Sequence, residues 1–352
     1  MISEVLFFLD SKNGNLTEAE IMNFGESSIL VTGGTGSFGR KLTEILLNEY
    51  NPLKLIIFSR DELKQHEMRI KGFDPATYRN LRYFIGDVRD ADRLRRAFSD
   101  VDIVIHAAAL KQVPACEYNP IEAVATNIGG AKNVIDAAID MEVKRIIALS
   151  TDKACAPFNL YGATKLVSEK LVIQANAYRG NRDIRFSAVR YGNVVGSRGS
   201  VVPIFKAQRE TGKVTITDEQ MTRFWITLEQ GVRFVISCLE MMQGGEVFVP
   251  KLPSMNIMDL VETIAPDCEH ETIGIRPGEK LHESLISYDE ARQTVDLGDR
   301  FVILPTHPWW GNSEYSNGKA LPDGFCYSSD KNERILSQDE LIEMIDSESA
   351  SD

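Results

Sequence analysis

The sequence predicts an α/β fold, a doubly wound parallel sheet with a smaller C-terminal substrate lobe, and three observations carry that expectation. Short runs of β-branched and other apolar residues alternate with helical patterns from Ser28 onward. The runs are apolar throughout rather than every second residue, and the first of them ends in a glycine-rich turn that opens a helix. Strands alternating with helices mark βαβ units and a parallel sheet. Continuously apolar strands fit a sheet covered on both faces. A strand, a glycine turn and a helix in that order present backbone N–H groups to a phosphate.

The candidate strands are residues 29–31, 53–58, 81–85, 101–105, 145–149, 184–190 and 246–249. Before them, residues 1–26 read as an extension, in which Thr17-Glu18-Ala19-Glu20 offers a capping box for one short helix. Between the sixth and seventh runs, 196–223 carries prolines, glycines and charges, and after Pro250 the strand-helix rhythm ends. The expected organisation is an extension at 1–26, a dinucleotide-binding domain at 27–195 plus 224–250, a substrate lobe at 196–223 plus 251–345, and a disordered acidic tail at 346–352. Ligands of open α/β sheets bind beyond the carboxyl ends of the strands, so the lobe is expected to close over that edge.

Composition narrows the partners. The chain has 352 residues and a formal net charge of -12, which argues against nucleic acid, because phosphate backbones are gripped by clustered Lys and Arg. No apolar run approaches the roughly 20 residues of a membrane helix, and residues 5–9 are too short for a signal peptide. A cytoplasmic protein with no membrane partner is expected. The five cysteines are widely spaced and never form CxxC, which fits a reducing compartment. Cys155 reads as a small packing residue, and no His/Cys/carboxylate cluster has metal-ligand spacing.

The glycine turn at 32–39 contains Gly33, Thr35, Gly36, Ser37, Phe38 and Gly39. Its glycines allow a tight turn and a close approach to a pyrophosphate at the positive end of the following helix. At the end of the second run, Arg60, supported by Ser59 and Lys64, suits the 2′-phosphate of NADP, while Asp61 leaves NAD open. Asp87 and Val88 follow the third run and bracket an adenine. Ala107, Ala108 and Ala109 follow the fourth, where small side chains let a cofactor pass close to the chain. Tight helix-sheet packing accounts equally well for both sets.

The reacting groups are expected at Thr151, Asp152, Lys153, Tyr161 and Lys165. Tyr161 and Lys165 stand four residues apart and share a helix face, so the ammonium can lower the phenol's pKa until it serves as a base. Asp152 and Lys153 add a second acid/base pair. A simple alcohol dehydrogenase or epimerase needs only the phenol, whereas elimination of water needs a base at carbon and an acid at the leaving oxygen.

Five blocks occur in order: TGGTGSFG at 32–39, SRDELKQ at 59–65, STDKA at 150–154, RYGNVVGSRGS at 190–200 and RPGEKLHE at 276–283. With the Tyr161/Lys165 pair they resemble the extended short-chain dehydrogenase/reductases, and within them the inverting UDP-N-acetylglucosamine 4,6-dehydratases. The resemblance implies a Rossmann fold, a tightly bound and recycled NADP touched by the residues above including Tyr161 and Lys165, and a cytoplasmic homo-oligomer, a dimer or hexamer. It implies UDP-N-acetylglucosamine as substrate, with Lys111, Asn193, Arg198, Arg223, Arg276 and Glu279 as its contacts and Lys280 as a further cation for the phosphates. Lys153 would act as a neutral base at carbon 5 and protonated Asp152 as acid at carbon 6, with Thr151 on the 4-oxygen. Its product would serve bacterial surface-glycan synthesis. Ala156-Pro157-Phe158 departs from the family's Asn-Pro-Ile, and Phe158 is expected to reshape the wall near the sugar. His106 is expected to be packing, and His282 a structural histidine within a helix. The competing readings are a UDP-sugar 4-epimerase and a non-catalytic NADP-sensing regulator.

Overall fold

The computed structural model describes residues 7–9, 16–18, 22–196, 200–307 and 315–349. Its main sheet has ten strands. Seven are parallel: β1 (Ser28–Thr32), β2 (Lys54–Ser59), β3 (Leu81–Ile85), β4 (Ile103–His106), β5 (Arg145–Leu149), β6 (Arg185–Val189) and β7 (Val247–Pro250). Three more, β8 (Thr294–Asp296), β9 (Arg300–Ile303) and β10 (Lys319–Ala320), continue it antiparallel, so the spatial order is β3-β2-β1-β4-β5-β6-β7-β9-β8-β10. All seven expected strands are present. The chain leaves β1 toward one side and returns at β4 on the other, which opens a crevice beyond their carboxyl ends.

Burial of both sheet faces explains the apolar runs. Ile29 and Val31 of β1 and Leu55 and Ile57 of β2 point into a core with α1 (Ser37–Ile45) and the helix Leu228–Met241. Their neighbours Leu30, Ile56 and Phe58 join the opposite core with Leu94, Phe98, Val134 and Val172. Successive strand residues face opposite sides, so each run must be apolar at every position.

A third core belongs to the lobe. Val202 and Phe205 of the helix Val201–Arg209 pack with Val214, Ile216 and Trp225, with Leu260 and Val261, and with Leu341 and Met344 of the helix Gln338–Ser349.

Several boundaries differ from expectation. Residues 294–320, expected in the lobe, include three strands of the main sheet: Phe301, Val302 and Ile303 hydrogen-bond along the edge of β7, which would otherwise stay open. Among the described residues no helix lies between these three strands, so the strand-helix rhythm could not signal them. The strand Thr222–Ile226 crosses the expected boundary at 223/224 and pairs with Asn193–Val194 and Ser254–Asn256. Residues 346–349 of the expected disordered tail finish the C-terminal helix, while 350–352 lie outside the described residues. Thr17 and Glu18 lie not in a helix but in the strand Leu16–Glu18, paired with Phe7–Leu9. No helix among the described residues is long and apolar enough to cross a membrane.

Candidate active site

One cavity of about 910 Å³ opens at the crevice and is lined by both the sheet and the lobe. At its sheet end, the backbone turns out of β1 at Gly33, whose φ of +68 lies in the left-handed region; a Cβ there would stand 2.9 Å from the Ala108 backbone. The turn thus runs hard against Ala107 and Ala108 and leaves the space above them open. Thr35 Oγ1 meets Ser59 Oγ at 2.9 Å and ties the turn to the tip of β2. Gly36, Ser37, Phe38, Gly39, Asp87, Val88 and Ala109 line the same end. At the rim, Arg60 is half-exposed and 3.7 Å from Asp87. Asp61 is occupied elsewhere: its Oδ1 caps the helix Glu62–Ile70 by accepting from Lys64 N at 3.0 Å, and its Oδ2 pairs with the Lys64 ammonium at 3.1 Å.

The middle of the cavity is built where β5 ends. Thr151 starts a short 3-10 turn, Asp152–Ala154, and the helix α2 (Leu160–Gln174) begins opposite it with Asn159 as cap. A Cβ on Gly162 would lie 2.1 Å from Lys153 O, so glycine is what lets this helix lie directly on the turn. That contact sets Tyr161 against Lys153. Asp152 is 1% exposed; its Oδ1 accepts from Thr151 Oγ1 at 2.8 Å and from Lys153 Nζ at 3.0 Å. Lys153 Nζ also donates to Asn193 Oδ1 at 3.4 Å and sits 3.4 Å from Glu283 Oε1.

Electrostatics corrects two expectations. Burial pushes the Tyr161 phenol up to about 12, and the cation that opposes this is Lys153, helped by the Thr151 hydroxyl, rather than Lys165. Lys165 is itself pushed down to about 8 by burial, with Glu169 acting the other way. Burial also disfavours the Lys153 ammonium, but Asp152 and Glu283 outweigh it and raise the pKa, so the resting amine is charged, not neutral.

The lobe end collects the other candidates unevenly. Lys111, Asn193, Arg223, Arg276 and Glu279 line the cavity, while Arg198 lies outside the described residues. Arg223 spends its guanidinium on the carbonyls of Thr222, Lys280 and Leu281, and Lys280 donates to Cys155 O at 2.8 Å and does not line the cavity. Arg276 remains half-exposed, 3.9 Å from Glu279. Phe158 is 68% exposed and does not line the cavity. His106 is buried, bonded to Thr32 Oγ1 at 2.7 Å and pushed down by burial to about 3. His282 bonds Thr222 Oγ1 and lies in a β-bridge, not a helix. Cys155 is buried, which raises its thiol pKa.

Sequence reasoning missed the wall formed by Ile204, Phe205, Gln208, Thr215, Thr217 and Trp225, and it missed Glu283. The wall carries no motif, only an amphipathic helix against a strand. Glu283 stands in the last quoted block, but nothing local marks it as facing Lys153.

Buried polar atoms lacking a hydrogen-bond partner among the described residues converge on this cavity. Six of the seven lie on lining residues, Thr126 Oγ1, Asp152 Oδ2, Ser200 Oγ, Trp225 Nε1, Glu279 Oε2 and Glu283 Oε2, and the seventh is Ser254 Oγ. Such atoms are costly unless a ligand or water completes them. The long cavity, the glycine cradle at one end and the polar wall at the other fit a dinucleotide and a second extended polar ligand end to end.

The family model described as polysaccharide biosynthesis protein matches residues 29–305. The chain belongs to that family. The match runs from β1 to just past β9 and so includes both the glycine turn and segment 276–283. Within the family's reach, the chain is 54% identical over 331 residues to a UDP-N-acetylglucosamine 4,6-dehydratase (inverting) of Campylobacter jejuni subsp. jejuni, covering 92% of this chain and 98% of that one. It is 44% identical over 288 residues to a UDP-glucose 4-epimerase of Rickettsia conorii, covering 80% and 83%. Among solved structures, Pen from Bacillus thuringiensis matches with a TM-score of 0.85 at 40% identity, covering 93% of this chain and 99% of that one.

Proposed function

We propose that the protein dehydrates UDP-N-acetylglucosamine between carbons 4 and 6 with inversion at carbon 5, giving a UDP-4-keto-6-deoxy-L-hexosamine for surface-glycan synthesis. The observation that carries this reading is the meeting of Asp152, Lys153 and Tyr161 on one cavity wall. An epimerase needs the phenol alone; the additional carboxyl and amine supply the acid and base that elimination requires. The 54% identity to an enzyme of that name supports the same assignment.

In this reading the bound nicotinamide supplies the hydride acceptor for carbon 4 and the hydride donor for carbon 6. Tyr161, once ionised, takes the proton of the 4-hydroxyl; the Lys153 charge and the Thr151 hydroxyl favour the phenolate against the burial that pushes its pKa up to about 12. The ketone acidifies the hydrogen on carbon 5. Moving one proton from Lys153 Nζ to Asp152 Oδ1, across 3.0 Å, converts the resting ion pair into a neutral amine and a carboxylic acid. Substrate closing the cavity excludes water and favours that neutral form. Lys153 then removes the proton from carbon 5, and Asp152 gives its proton to the departing 6-hydroxyl.

The cofactor is taken as NADP, because Asp61 is engaged as a helix cap while Arg60 is half-exposed at the rim. Arg276 and Lys111 are the cations assigned to the UDP phosphates, and the wall from Ile204 to Trp225 to the nucleoside. The assembly is taken as a homo-oligomer, read by light scattering. Incubation with UDP-N-acetylglucosamine in heavy water should give a product lighter by one water and deuterated at carbon 5. The competing reading, a 4-epimerase, draws on the likeness to the Rickettsia conorii enzyme; a product of unchanged mass would select it.

A further inference from the structure

Lys153 is gripped from two sides, and only one side belongs to the turn that carries it. Asp152 holds Nζ at 3.0 Å, and Glu283 Oε1 approaches to 3.4 Å from the segment that follows the lobe. Glu283 is 2% exposed and lines the cavity. Its backbone is anchored, with Glu283 N donating to Ser329 Oγ at 3.0 Å and Glu283 O accepting from Ser329 N at 2.8 Å. The side chain is therefore presented to Lys153 from an anchored backbone, just before the strand Ser284–Ile286, while Oε2 keeps no hydrogen-bond partner among the described residues. Asp152 Oδ2 is in the same condition. Two buried carboxylates thus share one ammonium, and each has one oxygen without a hydrogen bond among the described residues.

We propose that Glu283 is a positioning residue for the acid/base pair: it holds the Lys153 amine toward the sugar and within reach of Asp152. The elimination needs one proton to pass from Lys153 to Asp152, which requires Nζ to stay within reach of Oδ1, now 3.0 Å away. In that transfer the Nζ–H bond breaks and an Oδ1–H bond forms. On its far side Glu283 meets Lys280, whose ammonium is 3.7 Å from Oε2. The other groups facing Lys153 are the Arg223 guanidinium, the Tyr161 phenol and the neutral Asn193 amide. This role rests on the dehydratase reading.

The test uses Glu283→Gln and Glu283→Asp in the full chain with bound cofactor. Lysine side chains labelled with ¹³C are titrated by NMR, with Lys153 assigned by its loss in Lys153→Ala. Removing the carboxylate should lower the Lys153 midpoint by about one to three pH units. In the heavy-water assay, Glu283→Gln should lower kcat about 100-fold or more with KM changed less than about threefold, and move the alkaline limb of the kcat profile to lower pH. Glu283→Asp should recover part of both effects. An unmoved Lys153 titration, or full kcat in Glu283→Gln, overturns the role of Glu283 alone. A wild-type protein that releases no water overturns the dehydratase reading instead, and the NMR midpoints still report whether Glu283 governs Lys153.

Discussion

Two buried clusters, Arg190 between Glu169 and Glu290 and Lys153 between Asp152 and Glu283 with Lys280 on the far side of Glu283, differ in how fully their hydrogen-bonding groups are used. Arg190, fully buried, spends all five N–H donors: on Glu169 through Nε at 3.2 Å and Nη2 at 2.5 Å, on Glu290 through Nη1 at 3.1 Å and Nη2 at 2.9 Å, and on Leu285 O at 2.8 Å. Ser150 and Ser287 occupy the remaining carboxylate lone pairs. Lys153 sits between Asp152 and Glu283, and each of those carboxylates keeps a buried oxygen unmatched. The first cluster is closed and joins the end of β5, the helix bearing Tyr161 and the C-terminal segment. The second is open on the cavity. Saturated buried charge gives rigidity, whereas unsaturated buried charge leaves proton positions that can change.

The contrast breaks most visibly at Lys153. Lys153→Ala should lower water release about 1,000-fold or more in the mass assay while cofactor still binds. A large loss of stability with intact turnover would make the two clusters equivalent. Arg190→Met should do the opposite kind of damage, costing about 3–5 kcal/mol by stranding two buried carboxylates.

Glu290 sharpens the same point through pH. Burial works against its charge, but Arg190 and the Ser287 donors outweigh that and hold it down to about 2. A depressed carboxylate stabilises the fold above its unfolded pKa, and that stability is lost as pH falls from about 4.5 toward 2. Glu290→Gln should flatten this part of the acid unfolding curve.

Gly162→Ala bears on how the open cluster is aimed. The new Cβ would collide with Lys153 O, so the turn must shift, and a displacement near 1 Å is expected to cost about 100-fold in kcat with cofactor affinity little changed. The smallest effect is expected at Ala156, whose φ of +43 is unfavourable for a residue with a Cβ. Ala156→Gly should raise stability by about 0.5–1 kcal/mol, seen as a higher Tm, with turnover unaltered.

Much of this was legible along the chain because it rests on local rules. Apolar runs such as 29–31 and 145–149 must be strands buried on both faces, and the glycine spacing at 33, 36 and 39 must be a turn that admits a phosphate. The antiparallel strands β8–β10 were not legible, since no helix punctuates them. Nor was the engagement of Lys280, which depends on Cys155 O being within its reach.

By itself, then, the sequence determined the sheet, the cofactor turn and which side chains at 151–165 can exchange protons, because strand burial and short-range spacing are properties of neighbouring residues. Only the tertiary structure decided the charge state of those groups. Glu283 lies 130 positions from Lys153 in the numbering of the chain, and Arg190 lies 100 from Glu290. Coulomb energies depend on distance through space and on the water excluded between the partners, and the path of the backbone sets both.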